Sequence, residues 1–232
     1  MLVLAIETAT IHSSVSVVEG GRELAGWREL THQDLCQRLA FEARTMLDRA
    51  GRGPGDLGLI AVGLGPGSFT SVRVGVATAK GIAFAREIAL VGIPSLEAMA
   101  WQVRDRVAGL VCPVTDARRG ELYAALFRVR PDAIEQVEEE SVTTATDLAE
   151  RLVRLGEPVT VVGEAGRLQE ADVARFGDMM PSHPVWPDAA SVAELGLRRY
   201  NARGGDEIGP LRPIYVRMSY AEESRRLDLG LR

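Results

Sequence analysis

The sequence predicts an α/β protein of two related lobes, and three observations carry that expectation. Each half opens on an apolar strand that ends in a carboxylate, Glu7 or Asp116, followed by a short polar turn and a return strand. Each half later holds a strand ending Val-Gly (Val62-Gly63 and Val162-Gly163), then a glycine-containing loop and a helical pattern. A repeated strand–turn–strand and strand–loop–helix plan does not fit one simple doubly wound sheet, and 232 residues are enough for two small cores. The boundary is expected near residues 100–108. That gives an N-terminal lobe of residues 1–104, a C-terminal lobe of 105–217 and a polar tail of 218–232.

The elements follow from local pattern. Residues 2–6 and 13–18 read as strands joined by a polar turn, and Gly20-Gly21 permits a hairpin into a strand near 23–28. Thr31 and Asp34 resemble a capping box before a helix whose apolar positions Leu35, Leu39, Ala43, Met46 and Leu47 keep helical spacing as far as Gly51. A Gly/Pro loop over 51–58 precedes a buried strand over 59–63 and a helix over 69–85. Val91-Gly92-Ile93-Pro94 is a short strand running into a helix that starts at Ser95. In the second half, strands are expected over 110–115 and 122–129, with Arg118-Arg119-Gly120 turning between them. A helix over 147–155 follows the Thr144…Asp147 cap, and a strand covers 159–163. A helical stretch reaches Phe176, a proline-rich loop covers 179–187, and Ser191 with Glu194 caps a last helix ending at Gly204-Gly205.

Composition limits the function classes. A net charge of -5 argues against a strongly basic nucleic-acid surface, although Arg104, Arg106, Arg118, Arg119, Arg128 and Arg130 cluster in sequence. Cys36 and Cys112 lie far apart and form neither a metal knuckle nor a redox pair. His12, His32 and His183 do not share a helical face, and no Ser/His/Asp or Cys/His constellation can be read. The start Leu2-Val3-Leu4-Ala5-Ile6-Glu7 lacks a basic leader, and no apolar run is long enough to span a bilayer, so a cytoplasmic protein without membrane contact is expected.

The stretch Val62-Gly63-Leu64-Gly65-Pro66-Gly67-Ser68-Phe69-Thr70 invites a phosphate-cradle reading, because glycines admit close backbone approach and a helix start favours anions. The nucleotide signatures are incomplete. Gly67 comes one residue early for a dinucleotide fingerprint, and Lys80, the only lysine, is far from the P-loop position. The following helix carries Gly75, Ala77, Ala79, Gly81, Ala83 and Ala85, so it suits tight packing within the lobe or against another subunit. Glu7 and Asp116, at strand ends, either face an interlobe cleft as magnesium or base groups, or cap their own turns.

Several motifs in order resemble the TsaB (YeaZ) family. Gly65-Pro66-Gly67-Ser68-Phe69-Thr70-Ser71-Val72-Arg73-Val74-Gly75 is similar to its GPGSFTGLRIG signature, and Leu4–Thr10 to its first strand and turn. Thr115–Tyr123 resembles its DARxGEVY segment, and Pro213-Ile214-Tyr215-Val216-Arg217 its PxYxR ending, so the likeness runs from residue 2 to about 217. The resemblance implies an actin/Hsp70/sugar-kinase-like (ASKHA) fold. It also implies a non-catalytic subunit in threonylcarbamoylation of the tRNA adenosine next to the anticodon. The partners so implied are a TsaD-like catalytic paralogue, a TsaE-like ATPase and a second copy when alone, with tRNA contact indirect or weak. ATP and metal are expected on the partner subunits, and no cofactor on this chain. Departures are Glu7 in place of an aspartate, the absence of glycine from Thr8-Ala9-Thr10, and Ser71 in place of glycine.

On this reading the partner interface is expected at Leu35, Leu39 and Met46 of the first helix and at Val74, Thr78 and Ile82 of the second. Gly65, Gly67, Ser68, Phe69 and Thr70 form a vestigial phosphate loop, and Glu7 and Asp116 are the cleft carboxylates. The alternative is an ATP-dependent phosphotransferase acting on a small molecule through the same loop and carboxylates.

Overall fold

The computed structural model describes residues 1–30, 34–163 and 185–217. Its first sheet has the order β3-β2-β1-β4-β5, built from β1 (Leu2–Glu7), β2 (His12–Glu19), β3 (Arg22–Leu30), β4 (Leu57–Gly63) and β5 (Ala89–Ile93). β1 pairs antiparallel with β2 and parallel with β4. Every residue of β1 is buried, as an apolar run covered on both faces must be. One face carries helices α1 (Leu35–Arg49) and α2 (Phe69–Arg86), whose Leu39, Met46, Val72 and Val76 join Leu4, Ile6 and Ile60 in one core.

The second sheet repeats the plan with the order β8-β7-β6-β9. It consists of β6 (Gly109–Asp116), β7 (Glu121–Arg130), β8 (Ala133–Thr144) and β9 (Val159–Gly163). Here β6 pairs antiparallel with β7 and parallel with β9, matching β1 with β2 and β4. The expected internal rhyme is therefore present. Helix α4 (Ala145–Arg154) covers one face, its start held by the Asp147 amide donating to Thr144 Oγ1 at 3.1 Å. Helix α3 (Ser95–Gln102) fills the space between the sheets. Its Leu96, Met99 and Ala100 pack with Val111, Phe127 and Val162 of the second sheet, while Ala98 and Trp101 pack with Val91 and Ile93 of the first.

The last helix among the described residues, α5 (Ala189–Arg203), corrects the expected division of the chain. Its Val192, Ala193 and Leu195 pack on Val3, Ala5, Leu59 and Ala61 of the first sheet, opposite α1 and α2. Residues 205–217 then run along α2 as a strap, in which the Ile214 amide donates to Leu64 O and Lys80 Nζ to the carbonyls of Gly209 and Leu211. Residues 189–217 thus belong by packing to the first lobe rather than to the contiguous unit 105–217. The cap of α5 also differs: Asp188 Oδ1 accepts from the Ala190 amide, one turn before Ser191. The expected helix to Phe176, most of the 179–187 loop, His32, His183, Thr31 and the 218–232 tail lie outside the described residues.

Candidate functional site

The glycine loop is held by its own protein. Leu64 donates its amide to Ile93 O, Gly65 to Ser95 Oγ at 3.0 Å and Ser68 to Ala9 O at 2.7 Å, while Pro66 has no amide proton to give. Gly65 adopts φ +85°, a left-handed conformation that favours glycine. A Cβ on Gly67 would collide with the Ala9 carbonyl, and one on Gly75 with Thr8 Oγ1. These glycines therefore bring the start of α2 onto the β1–β2 turn, against Thr8 and Ala9. Ser71 fits without loss: its Oγ lies 3.0 Å from Ser68 Oγ, and its carbonyl accepts from Thr8 Oγ1 at 2.8 Å. Phe69 and Thr70, in the first turn of α2, are exposed.

Glu7 is fully buried at the end of β1 and does not line an open cleft, which corrects one half of the expected carboxylate pair. Its Oε1 accepts from the Ala9 amide at 2.7 Å and its Oε2 from Ser95 Oγ at 2.8 Å. Burial pushes its carboxyl up to about 7, against the lowering effect of the Ala9 and Ser95 hydrogen bonds. Asp116 is partly exposed. Its Oδ1 accepts from the Arg118 amide at 2.7 Å, and its Oδ2 lies 3.7 Å from the Arg118 guanidinium. Both carboxylates therefore cap their own turns. The β6–β7 turn is unusual in placing Arg118 and Arg119 at φ 65° and 55° before Gly120. Among the described residues no group of three or more His, Cys, Asp or Glu could hold a metal ion.

The expected partner edge on α1 is also corrected: Leu35, Leu39 and Met46 are buried in the first lobe's own core. Val74 and Ile82 are half-buried against the same core, and Thr78 is half-buried. The outward residues are different. Phe41 of α1 and Phe84 of α2 are 67% and 77% exposed, and Arg73, Ala77, Gly81 and Ala85 face outward beside Phe84. The Arg73 guanidinium stacks 3.5 Å above the Phe69 ring, and its Nε donates to Tyr215 Oη at 2.8 Å. Sequence reasoning missed Phe41 and Phe84, although both sit off the apolar stripe of their helices. It also missed Ser95 as the partner of Glu7, for which no local signal exists. The His12 ring lies 4.4 Å from that of Trp186 at a tilt of 43°, and burial lowers the pKa of His12.

Two mixed sheets of matching order, with helices on their faces, define a two-lobed protein of the actin/Hsp70/sugar-kinase class. A dehydratase activator from Clostridium difficile, solved with ADPNP, shares that fold at TM-score 0.52 and 10% identity over 87% of this chain and 96% of its own. A family model for the tRNA N6-adenosine threonylcarbamoyltransferase TsaD matches residues 29–179. The Escherichia coli tRNA threonylcarbamoyladenosine biosynthesis protein TsaB is 37% identical over 69% of this chain and 71% of its own. The Bacillus subtilis protein of the same name is 28% identical over 96% of both. YeaZ from Pseudomonas aeruginosa superposes with TM-score 0.75 at 25% identity over 92% of this chain and 99% of its own. The chain belongs to the TsaB (YeaZ) family.

Proposed function

We propose that this chain is a non-catalytic, partner-binding subunit in the threonylcarbamoylation of the tRNA adenosine next to the anticodon. It acts in the cytoplasm by supporting a TsaD-like catalytic paralogue, with a TsaE-like ATPase joining the complex and a second copy covering the same face when the paralogue is absent. One contrast carries the reading. The Leu64, Gly65 and Ser68 amides and the Glu7 carboxylate bond inside the lobe, whereas Phe41 and Phe84 stand in solvent on α1 and α2. Exposed aromatic side chains on both helices of this layer support a protein-facing surface. Those three amides hold the loop against the lobe, and with it the start of α2. ATP and metal then belong on the partner subunits, and tRNA contact through this chain is indirect or weak.

The test is a tRNA modification assay reconstituted from the same organism's TsaD-like and TsaE-like subunits, with and without this chain. Modification that depends on the chain is expected, and equal modification without it overturns the accessory role. Calorimetry with Mg-ATP on the isolated chain addresses the phosphotransferase alternative. No binding heat is expected, and tight binding with turnover would reverse the choice.

A further inference from the structure

We propose that the strap is a conformational latch: Arg217, carried on it, holds the β6–β7 turn of the second lobe in a left-handed form that the turn does not keep unaided. The inference is independent of the partner-binding reading, because it concerns how one lobe sets the shape of the other.

The turn is an outlier in its own backbone. Arg118, Arg119 and Gly120 stand in succession at φ 65°, 55° and 80°. Glycine takes such a conformation freely, whereas an arginine Cβ there crowds the following carbonyl. Consecutive residues of that kind persist only where the surrounding structure holds them. Bonds within residues 116–121 supply part of the hold. Asp116 Oδ1 accepts from the Arg118 amide at 2.7 Å, Glu121 O from the Ala117 amide at 2.9 Å and Arg118 O from the Glu121 amide at 3.0 Å. Residues 118–120 are exposed, so burial adds little. Arg217 reaches the bend from outside: its Nη1 donates to Ala117 O at 3.3 Å and its Nη2 pairs with the Glu121 carboxylate, across 100 and 96 residues of chain. One guanidinium thus grips both feet of the bend, the residues that flank the three left-handed positions. The two side chains are 22% and 32% exposed, shielded enough to make the charged hydrogen bond worth more than a surface ion pair.

Just before Arg217 the strap is anchored to the first lobe. The Ile214 amide donates to Leu64 O at 2.8 Å, and its carbonyl lies 3.7 Å from where a Gly65 Cβ would stand. Tyr215 Oη accepts from Arg73 Nε at 2.8 Å. Between Ile214 and Arg217 the chain therefore passes from the glycine loop of one lobe to the turn of the other. The matching β1–β2 turn of the first lobe is held differently: Thr8 Oγ1 donates to Ser71 O and Ala9 O accepts from the Ser68 amide, both within that lobe. The β6–β7 turn takes support from the opposite lobe instead, and a strained turn supported from elsewhere relaxes when that support leaves.

The experiment is hydrogen exchange of the full chain read by mass spectrometry, with each rate taken relative to that of the unstructured sequence. Arg217→Gln should speed exchange of the Ala117 and Glu121 amides by about tenfold or more, while peptides from β1 and β4 keep their rates. Glu121→Gln releases the latch from its other end and should act in the same direction, so it decides if the first variant does not fold. Arg128→Gln, which breaks the second-lobe ion pair with Glu157, should leave the turn unchanged. The discriminating variant is Arg119→Gly placed on Arg217→Gln. Glycine takes φ 55° without the side-chain cost, so the turn should regain most of its lost protection. Unchanged exchange at the turn in Arg217→Gln and Glu121→Gln overturns the latch. Acceleration that Arg119→Gly does not reverse, or that is equal throughout the protein, overturns it too, because an ordinary stabilising ion pair would then account for the contact.

Discussion

A carboxyl group without solvent contact, such as Glu7, ionises only against the loss of its hydration, and the fold feels that loss as pH rises. The unfolded chain releases this proton near 4.5, while the folded protein holds it up to about 7. Between those values the folded state binds more protons, so its stability falls as pH rises and levels off above the folded value. The span corresponds to about 3 kcal/mol at most. Glu97, raised by burial against the pull of Arg199, acts in the same direction. His12, lowered by burial, acts oppositely, since its contribution grows as pH rises. The clean readout is therefore the difference between the native protein and Glu7→Gln, in which glutamine mimics the protonated acid. Urea titrations from pH 4.5 to 8 should show the variant gaining on the native protein across that range, and parallel pH profiles would remove Glu7 from the linkage. The capping roles of Glu7 and Asp116 were legible in sequence because each bonds an amide two residues on. Ser95 was not, because it reaches Glu7 across 88 residues of chain.

Helix α2 holds two glycines in opposite circumstances. Gly75 lies where a methyl group would strike Thr8 Oγ1, so alanine there must push Thr8 away and break its 2.8 Å bond to the Ser71 carbonyl. Gly75→Ala should cost roughly 1–3 kcal/mol, as overpacking at a tight contact does. Gly81 has open space around it, so Gly81→Ala should stabilise the isolated chain by about 0.5–1 kcal/mol through helix propensity alone. Urea midpoints of the two variants, measured as monomers, should move in opposite directions; shifts of the same sign would mean that contact does not separate the glycines. The same scale shows what hydrophobic spacing can and cannot tell. In α1 it located one apolar stripe, Leu35, Leu39 and Met46, and a stripe that faces the core is not free to face a partner. The outward signal was Phe41, which breaks the pattern. Strand β8 escaped notice for a related reason: Glu135, Glu138, Glu139 and Glu140 along a sheet edge blur the alternation by which a strand is read.

At the scale of the molecule, the repeated strand plan was readable because it is local, whereas the return of α5 to the first sheet was not. Nothing in the amphipathic pattern of residues 189–203 says which of two sheets it will cover. Surface area decides that: Val3, Ala5, Leu59 and Ala61 form an apolar face that α3 covers only in part, and α5 supplies the rest. The two lobes are therefore not separable units. Leu96, Met99 and Ala100 of α3 are buried against the second sheet, while Ala98 and Trp101 of the same helix are buried against the first and beside α5. The strap then ties the first lobe to the second, where Arg217 pairs with Glu121 and donates to the Ala117 carbonyl. Unfolding either lobe alone would expose one side of α3 and leave the other without its support. The expected result is a single urea transition in which Trp fluorescence, which includes Trp101 at the junction, and far-ultraviolet circular dichroism coincide. The slope should be that of the whole chain rather than of half of it. Two separated transitions, or a slope fit for about half the chain, would show that α3 and α5 do not couple the lobes as their packing requires.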